Sequence, residues 1–236
     1  MLNNIKSSFI LQNIFTFVDD KNKFNLVLYN KRLQNRLNIN ITDIRRFSGK
    51  YIIGEENGEG KEYDGYTDKL IFEGEYKKGK RNGKGKEYNE KGKLLFEGEY
   101  INGKRNGKGK EYNEKGKLLF EGEYKNGKRY GMGIEYYEKG KIKFEGEYKN
   151  RKRNGKGKEY SEYGILLFEG NYLNEKRNGK GKEYNNNSIL IFEGEYLYNH
   201  KFKGKLYEEG LLVFEGEFLY DKKWNGEEKN IIIMVN

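Results

Sequence analysis

Apolar and polar residues alternate with a period of two through most of the chain, which is typical of β-strands. The pattern is clearest in residues 96–119, which read FEGEYINGKRNGKGKEYNEKGKLL. In the first run of this unit, Phe96 and Tyr100 share one face and glutamates occupy the other. In the second run, Gly107 and Gly109 share one face and lysines the other. Each unit is therefore predicted to contain two strands.

A tight turn is predicted between these two strands. Asn102-Gly103 is a strong sequence signal for a two-residue β-hairpin. Antiparallel pairing across this turn places the aromatic face beside the glycine face, because opposed residues point the same way. The rings are expected to lie flat over bare backbone. Glu97 and Glu99 then lie across from lysines, where each cross-strand pair contributes about 0.2–1 kcal/mol.

The unit recurs along the chain, and this repetition predicts the fold. Related motifs begin every 22 to 25 residues, which gives eight units over residues 47–236, the last of them degenerate. We predict a mostly β protein, an elongated single-layer antiparallel sheet of tandem hairpins in which each unit needs its neighbours. In the last unit, Trp224 is predicted to pack as part of a cap, to which the apolar tail 231–235 contributes. His200 is predicted to lie exposed in a turn.

The N-terminal segment 1–46 has a helical spacing of apolar residues instead. Three short amphipathic helices are predicted: one capped by Ser7-Ser8, one capped by Asp19-Asp20, and one over residues 31–37. The chain is therefore divided into a helical module, 1–46, and the repeats, 47–236. Such a module could cover the open edge of the first hairpin, which would otherwise invite aggregation.

Composition and charge narrow the function. The chain has 236 residues, no cysteine, no proline and one histidine, which excludes a disulfide scaffold, a thiolate metal site and a poly-histidine centre. Of its net charge of +10, residues 1–46 carry +5 and the much longer remainder also +5. The nearly balanced repeats argue against nucleic acid. With no long apolar segment or signal-peptide pattern, an intracellular, cytoplasmic protein is expected, with association at a membrane surface as a further option.

The repeats resemble the MORN repeat family, and the period of 24 is similar to the bacterial antitoxin-type variant. The resemblance implies an extended antiparallel sheet, no catalysis or cofactor, and a role in tethering proteins or contacting membranes. The residues of the unit 96–119 that carry it are Phe96, Gly98, Tyr100, Gly103, Gly107 and Gly109, followed by Tyr112 and Gly116.

The N-terminal segment also resembles an F-box, although the usual Leu-Pro opening is absent. The resemblance implies binding of a Skp-type adaptor of a ubiquitin ligase, and a plain capping bundle is the alternative. The residues that would bind the adaptor are Ile10, Leu11, Ile14, Phe15 and Val18.

The sequence therefore predicts a non-enzymatic interaction protein, with no catalytic, cofactor or metal residues. A ubiquitin-ligase adaptor and a phosphoinositide-membrane tether are the alternatives. A protein partner is expected to lie across the repeated rings of Phe72, Tyr76, Phe96, Tyr100, Phe120, Tyr124, Phe144, Tyr148, Phe168, Tyr172, Phe192 and Tyr196. Arginines at the turns are interpreted as a solvated ridge. An anionic phospholipid surface would bind the basic cluster Lys31, Arg32, Arg36, Arg45 and Arg46.

Overall fold

The computed structural model describes residues 7–28 and 30–229. The chain divides into two compact units, residues 1–94 and residues 95–236. The first contains the helices and the first four strands, and the second contains the remaining repeats. The predicted cap formed by residues 231–235 lies outside the described residues.

Four short helices precede the strands. They are α1 (Ser8–Thr16), α2 (Asp20–Val27), α3 (Lys31–Leu37) and α4 (Ile41–Ser48).

The first two helices begin at the side-chain caps that the sequence predicted. The hydroxyl of Ser7 accepts a hydrogen bond from the backbone N–H of Ile10, and the carboxylate of Asp19 accepts one from the N–H of Asn22. Both caps satisfy N–H groups that have no partner within the helix. A small apolar core then holds the helices together, and it consists of Leu11, Phe15, Val27, Leu33 and Leu37.

The fourth helix corrects the prediction of three. Asn40 and Asp43 form a capping box, in which each side chain accepts a hydrogen bond from the other's backbone N–H. Phe47, which the sequence analysis counted as the first aromatic of the repeats, lies in α4. Its ring packs edge-on against Phe15, with the centroids 5.8 Å apart. The helical part therefore extends to Ser48.

The strands have the following bounds. In the first unit they are β1 (Lys50–Gly54), β2 (Gly58–Asp64), β3 (Leu70–Lys77) and β4 (Lys80–Tyr88). Next come β5 (Leu94–Ile101), β6 (Lys104–Tyr112), β7 (Leu118–Lys125), β8 (Lys128–Tyr136), β9 (Ile142–Lys149) and β10 (Lys152–Tyr160). The last are β11 (Leu166–Leu173), β12 (Lys176–Tyr184), β13 (Leu190–Leu197), β14 (His200–Glu208), β15 (Leu211–Leu219) and β16 (Lys222–Glu228).

These sixteen strands follow one another in chain order in one open antiparallel sheet, which confirms the predicted tandem hairpins. The turn between β5 and β6 is Asn102-Gly103, whose φ angles of 51° and 82° are those of a type I′ turn. Glu97 lies opposite Lys110 in this hairpin, as predicted. The prediction for Glu99 is wrong in this hairpin, because the register shifts between Gly98 and Tyr100 and leaves Glu99 without a lysine opposite it.

A longer connection joins each hairpin to the next. Between β6 and β7, the side-chain oxygen of Asn113 accepts hydrogen bonds from the N–H groups of Lys115 and Lys117. The connection also contains Gly116, which has a φ of 77°. The asparagine thus satisfies backbone groups within the loop and fixes its shape.

Candidate functional site

The two faces of the strands in residues 95–229 differ in chemistry. Phe96 and Tyr100 of β5 point to one side, which we call the ring face, and their equivalents follow in later units. Glu97 and Glu99 point to the other side, which we call the charged face, because successive strand residues alternate.

The structure corrects the prediction that the repeated rings form an exposed partner surface. Each ring is at most 4% exposed, so the rings are the core of the sheet and are covered by other side chains. Burying rings of this size is the main apolar contribution to the fold. The residues concerned are Phe72, Tyr76, Phe96, Tyr100, Phe120, Tyr124, Phe144, Tyr148, Phe168, Tyr172, Phe192 and Tyr196.

Neighbouring rings and an arginine enclose each phenylalanine. Phe96 meets Tyr100 and Tyr124 edge-to-face, with centroids 5.7 and 5.1 Å away. The guanidinium of Arg105 lies 4.0 Å from the centroid of Phe96. Underneath, the ring lies against Gly109, where an added Cβ would collide with it. The expectation that the rings lie over bare backbone is confirmed.

Sequence reasoning missed a row of alternating arginines and glutamates on the ring face, which we call the ion-pair ladder. Arg153 illustrates it: one guanidinium nitrogen lies 2.6 Å from a carboxylate oxygen of Glu135, and another lies 3.1 Å from one of Glu159. Arg129, Arg153 and Arg177 each join two repeats in this way. In residues 95–229 the ladder consists of Arg105, Glu111, Arg129, Glu135, Arg153, Glu159, Arg177, Glu183 and Lys201.

The pKa values in the ladder show that these pairs are charged. Burial by itself raises the pKa of Glu135, but the hydrogen bond and the charge of Arg153 outweigh it, so the pKa lies below its ordinary value. Burial likewise lowers the pKa of Arg153, and Glu135 more than reverses this. The arginines predicted as a solvated ridge are therefore engaged in the ladder, and they are not a free basic surface.

Facing glycines form a strip of bare backbone that crosses the strands, which we call the glycine lane. Their missing side chains would point to the ring face, and the backbone of the strip is open on the charged face. Gly98 lies opposite Gly109, and Gly109 in turn lies opposite Gly122. The lane continues in register through every later hairpin. Its members in residues 95–229 are Gly98, Gly109, Gly122, Gly133, Gly146, Gly157, Gly170, Gly181, Gly194, Gly204, Gly216 and Gly226.

Glutamates and lysines line the lane on both sides and turn part of it into a groove. The groove runs from β8 to β16 and has a volume of about 1220 Å³. Its floor is the glycine lane, and its walls alternate in charge. Within it, Lys158 lies 3.9 Å from Glu145. Its lysines are Lys156, Lys158, Lys180, Lys182, Lys203 and Lys205, and its glutamates are Glu145, Glu169, Glu193, Glu195, Glu215 and Glu227.

Tyrosines fix the glutamates in one wall of the groove. The hydroxyl of Tyr160 donates a hydrogen bond of 2.6 Å to Glu145, and that of Tyr184 donates one of 2.8 Å to Glu169. Burial, reinforced by the glutamate, raises the pKa of each of these phenols to about 12. The wall is therefore built of ordered carboxylates, which is the arrangement a binding surface needs.

These phenols predict an alkaline limit to stability. Their pKa is higher in the folded chain than the ordinary value of 10.0, so folding favours the neutral phenol. The resulting stabilisation is complete below pH 10 and is lost as the pH rises through about 12. We expect absorbance at the phenolate band to show a late-titrating group of tyrosines, which Tyr160→Phe reduces. Simultaneous ionisation of all tyrosines near pH 10 while the sheet is folded would contradict this.

The five residues of the F-box resemblance separate into two groups. Leu11 and Phe15 are buried in the helical core, and Val18 is half-buried. Ile10 and Ile14 are exposed. An unpredicted residue, Phe17, continues their stripe at helical spacing and is 91% exposed. Helix α1 therefore presents an apolar stripe, Ile10, Ile14 and Phe17, to the outside.

The predicted basic cluster is distributed over two helices. Lys31, Arg32 and Arg36 lie on α3, and Arg45 and Arg46 lie on α4. The guanidinium of Arg45 lies 4.3 Å from the ring centroid of Tyr51 and is engaged there. Lys31, Arg32 and Arg46 are exposed, and Arg36 is half-buried.

The remaining candidates are placed as follows. His200 is exposed, as predicted, but it is the first residue of β14 and does not lie in the turn. Its ring nitrogen lies 2.8 Å from Asp221. Trp224 is 71% exposed, which corrects the expectation that it packs in a cap. Within residues 7–28 and 30–229, no cluster of three acidic or histidine side chains is suited to a metal ion. The helices described are all too short and too polar to span a bilayer.

Comparison with a family model supports the repeat assignment. The model described as "MORN repeat" matches five consecutive segments, residues 72–93, 96–117, 120–142, 144–162 and 168–189. Four of these segments begin at the phenylalanine of an FEGEY motif and the fifth at that of FEGNY. No curated protein matches the chain.

Two of the solved structures that match the chain are remote. The chain is similar to a crystal structure of TarM with 15% identity, covering 66% of this chain and 25% of that one at a TM-score of 0.26. It is also similar to a mutant of S. aureus TarM in complex with Fondaparinux, alpha-GlcNAc-glycerol and UDP, with 14% identity, 78% and 27% coverage and a TM-score of 0.24. This chain thus spans about a quarter of those proteins.

Proposed function

The chain belongs to the MORN repeat family, and we propose from this premise that it is a non-enzymatic interaction protein that holds a polypeptide partner in the groove of its charged face. The observation that carries the proposal is the groove itself, an open trough of about 1220 Å³ across nine strands. The rings that hold the sheet together are buried on the opposite face. The partner is therefore proposed to bind the charged face, and not the ring face as the sequence predicted.

The groove has the properties of a surface that binds an extended chain. Its floor is strand backbone between two rows of long side chains, so an extended partner can lie along it. The walls offer lysines and carboxylates at each repeat, so both charges of a partner find a complement. Because the same contact recurs with every hairpin, weak contacts add through their high effective concentration. The repetition also argues for binding over catalysis, since the same lysines, glutamates and glycines recur along the groove.

The proposal predicts that reversing the charge of the groove abolishes partner capture. We expect the variant Lys156→Glu, Lys180→Glu and Lys203→Glu to lose the proteins that the tagged full-length chain captures from its native cells. The matched control, Lys128→Glu, Lys152→Glu and Lys176→Glu, changes the same number of charges at exposed strand ends outside the groove and should keep them. Circular dichroism verifies that both variants fold, and mass spectrometry identifies the captured proteins. Equal capture by both variants would contradict the proposal.

The apolar stripe of α1 favours a second function, that of an adaptor in a ubiquitin ligase. Ile14 and Phe17 are exposed and would be available to a Skp-type protein. In the same capture experiment, Ile14→Asp with Phe17→Asp should remove a Skp-type protein and leave partners of the groove bound. If no Skp-type protein is captured by the unmodified chain, the helices serve only to cover the sheet.

A further inference from the structure

Strand β8 interrupts the charge pattern of the repeats. Four other strands, β4, β6, β10 and β12, read KRNGKGKEY, whereas β8 reads KRYGMGIEY. Met132 and Ile134 thus replace the two lysines of the charged face, and Tyr130 replaces an asparagine. Among the described repeats with this strand sequence, β8 is the one at which the charged face loses both cations.

The replacement removes lysines from between two pairs of glutamates. Ile134 lies in register with Glu121 on one side and Glu145 on the other. Met132 lies opposite Glu147. On the remaining side, the carboxylate of Glu123 reaches Gly131, next to Met132. A centre without cations is therefore flanked by four carboxylates. Glu121 and Glu145 each keep a lysine of the outer strand, Lys110 at 3.8 Å and Lys158 at 3.9 Å, but they lack the second lysine that the other strands supply. The charged face at β8 therefore has two cations fewer than at the strands that read KRNGKGKEY.

Two of the three replacing residues are exposed and do not build a core, and Ile134 is half-buried. Met132 is 56% exposed and Tyr130 is 43% exposed. Lysine at these positions would add cross-strand pairs worth about 0.2–1 kcal/mol each, so the sheet gives up stability at β8. Met132 also lies in the wall of the groove, at its β8 end. Methionine is flexible and polarisable, and it suits a contact with another chain.

We propose that this site, Met132 and Ile134 with Glu121, Glu123, Glu145 and Glu147, fixes the register of an extended basic segment of a partner. This inference rests on the proposed function and specifies the partner's chemistry. The segment carries an apolar side chain that packs on Met132, with lysine or arginine on both sides of it. Its cations pair with the carboxylates that lack lysines from β8. A uniform repeat offers a partner many equivalent positions, and the interruption selects one of them.

A direct test uses a defined probe. A fluorescent heptapeptide of alternating lysine and leucine is titrated against the full-length protein, and its anisotropy reports binding. We expect the variant Met132→Lys with Ile134→Lys to weaken binding about tenfold or more. We expect this variant to fold, because four other strands have lysine at both positions. A glutamate–leucine heptapeptide should bind neither protein.

A transplant provides the matched control. Adding Lys180→Met, Lys182→Ile and Asn171→Glu to that variant moves the apolar pair to β12, between Glu169 and Glu193, and Asn171→Glu supplies the carboxylate that corresponds to Glu123. Recovery of binding supports the proposal. The proposal is overturned if the transplant does not recover binding, if wild type and the first variant bind equally, or if wild type does not bind.

The outcomes also separate this inference from the proposed function. Equal binding of the peptide by wild type and the first variant, together with loss of the captured proteins in the Lys156, Lys180 and Lys203 variant, would leave the groove as the binding surface and show that β8 is not its anchor. If Met132→Lys with Ile134→Lys instead changes the oligomeric state in sedimentation, the occupant is a second copy of this chain and the proposal is overturned.

Discussion

Replacing Phe144 with alanine is expected to lower the free energy of unfolding by about 3–5 kcal/mol. The ring is fully buried, and it meets Tyr148 and Tyr172 edge-to-face with centroids 5.7 and 5.2 Å away. Arg153 covers it at 4.2 Å. Its removal therefore leaves a cavity and also uncovers an arginine of the ion-pair ladder. Urea unfolding followed by circular dichroism measures the loss.

The control for this prediction is an exposed aromatic of the same repeat. Tyr163 is 85% exposed, and Tyr163→Ala should change stability by no more than about 0.5 kcal/mol. Because each repeat contacts its neighbours, we also expect Phe144→Ala to broaden the transition as the repeats on either side unfold separately. A cost below that of Tyr163→Ala would show that the rings are not the core.

The repeats were predictable because several local signals agree in each unit. The alternation of Phe96, Gly98 and Tyr100 indicates a strand, and Asn102-Gly103 indicates the turn that pairs it with the next. The observed hairpin has that turn, but its register shifts by two residues between Gly98 and Tyr100, which pairs Gly98 with Gly109 and which the alternation did not predict. The signals recur every 24 residues, so even a repeat with a weak motif is placed by its neighbours.

The ion-pair ladder was missed although the sequence contains its signal. The alternation that places Gly109 on the ring face also places Arg105, four residues before it, and Glu111, two residues after it, on that face. Charged residues were assigned to solvent because isolated charges are costly to bury. The structure shows that arginine can cover a phenylalanine while it pairs with glutamates of two repeats, an arrangement that depends on contacts between hairpins.

The sequence analysis missed helix α4 and placed the partner surface on the wrong face for different reasons. The capping box of Asn40 and Asp43 is a clear sequence signal, but Phe47 fitted the repeat pattern and was assigned to the sheet. For the partner surface, the alternation defines two faces without showing which of them is covered. Long side chains such as Arg153 decide this, because they fold back over the rings and leave the glycine lane open on the charged face.

Adding a single methyl group to the glycine lane is expected to cost about 3 kcal/mol, the upper end of what overpacking usually costs. In Gly170→Ala, the new Cβ would lie 2.6 Å from the Cα of Gly181 and 2.7 Å from Phe168. One of these contacts is backbone of the paired strand, so the methyl group can be accommodated only if β11 and β12 move apart or the ring is displaced. Thermal and urea unfolding measure the effect.

The chain itself offers the control for this substitution. Gly164 has a φ of 85° and open space around its Cβ position, and Ser188 occupies the equivalent position one repeat later with a φ of 61°. Gly164→Ser should therefore cost only the strain of a left-handed residue, about 1 kcal/mol. The difference between the two variants isolates the steric role of the lane. Equal costs would mean that glycine is required there for its backbone freedom, and the close contact between ring and backbone would no longer explain the repeated glycines.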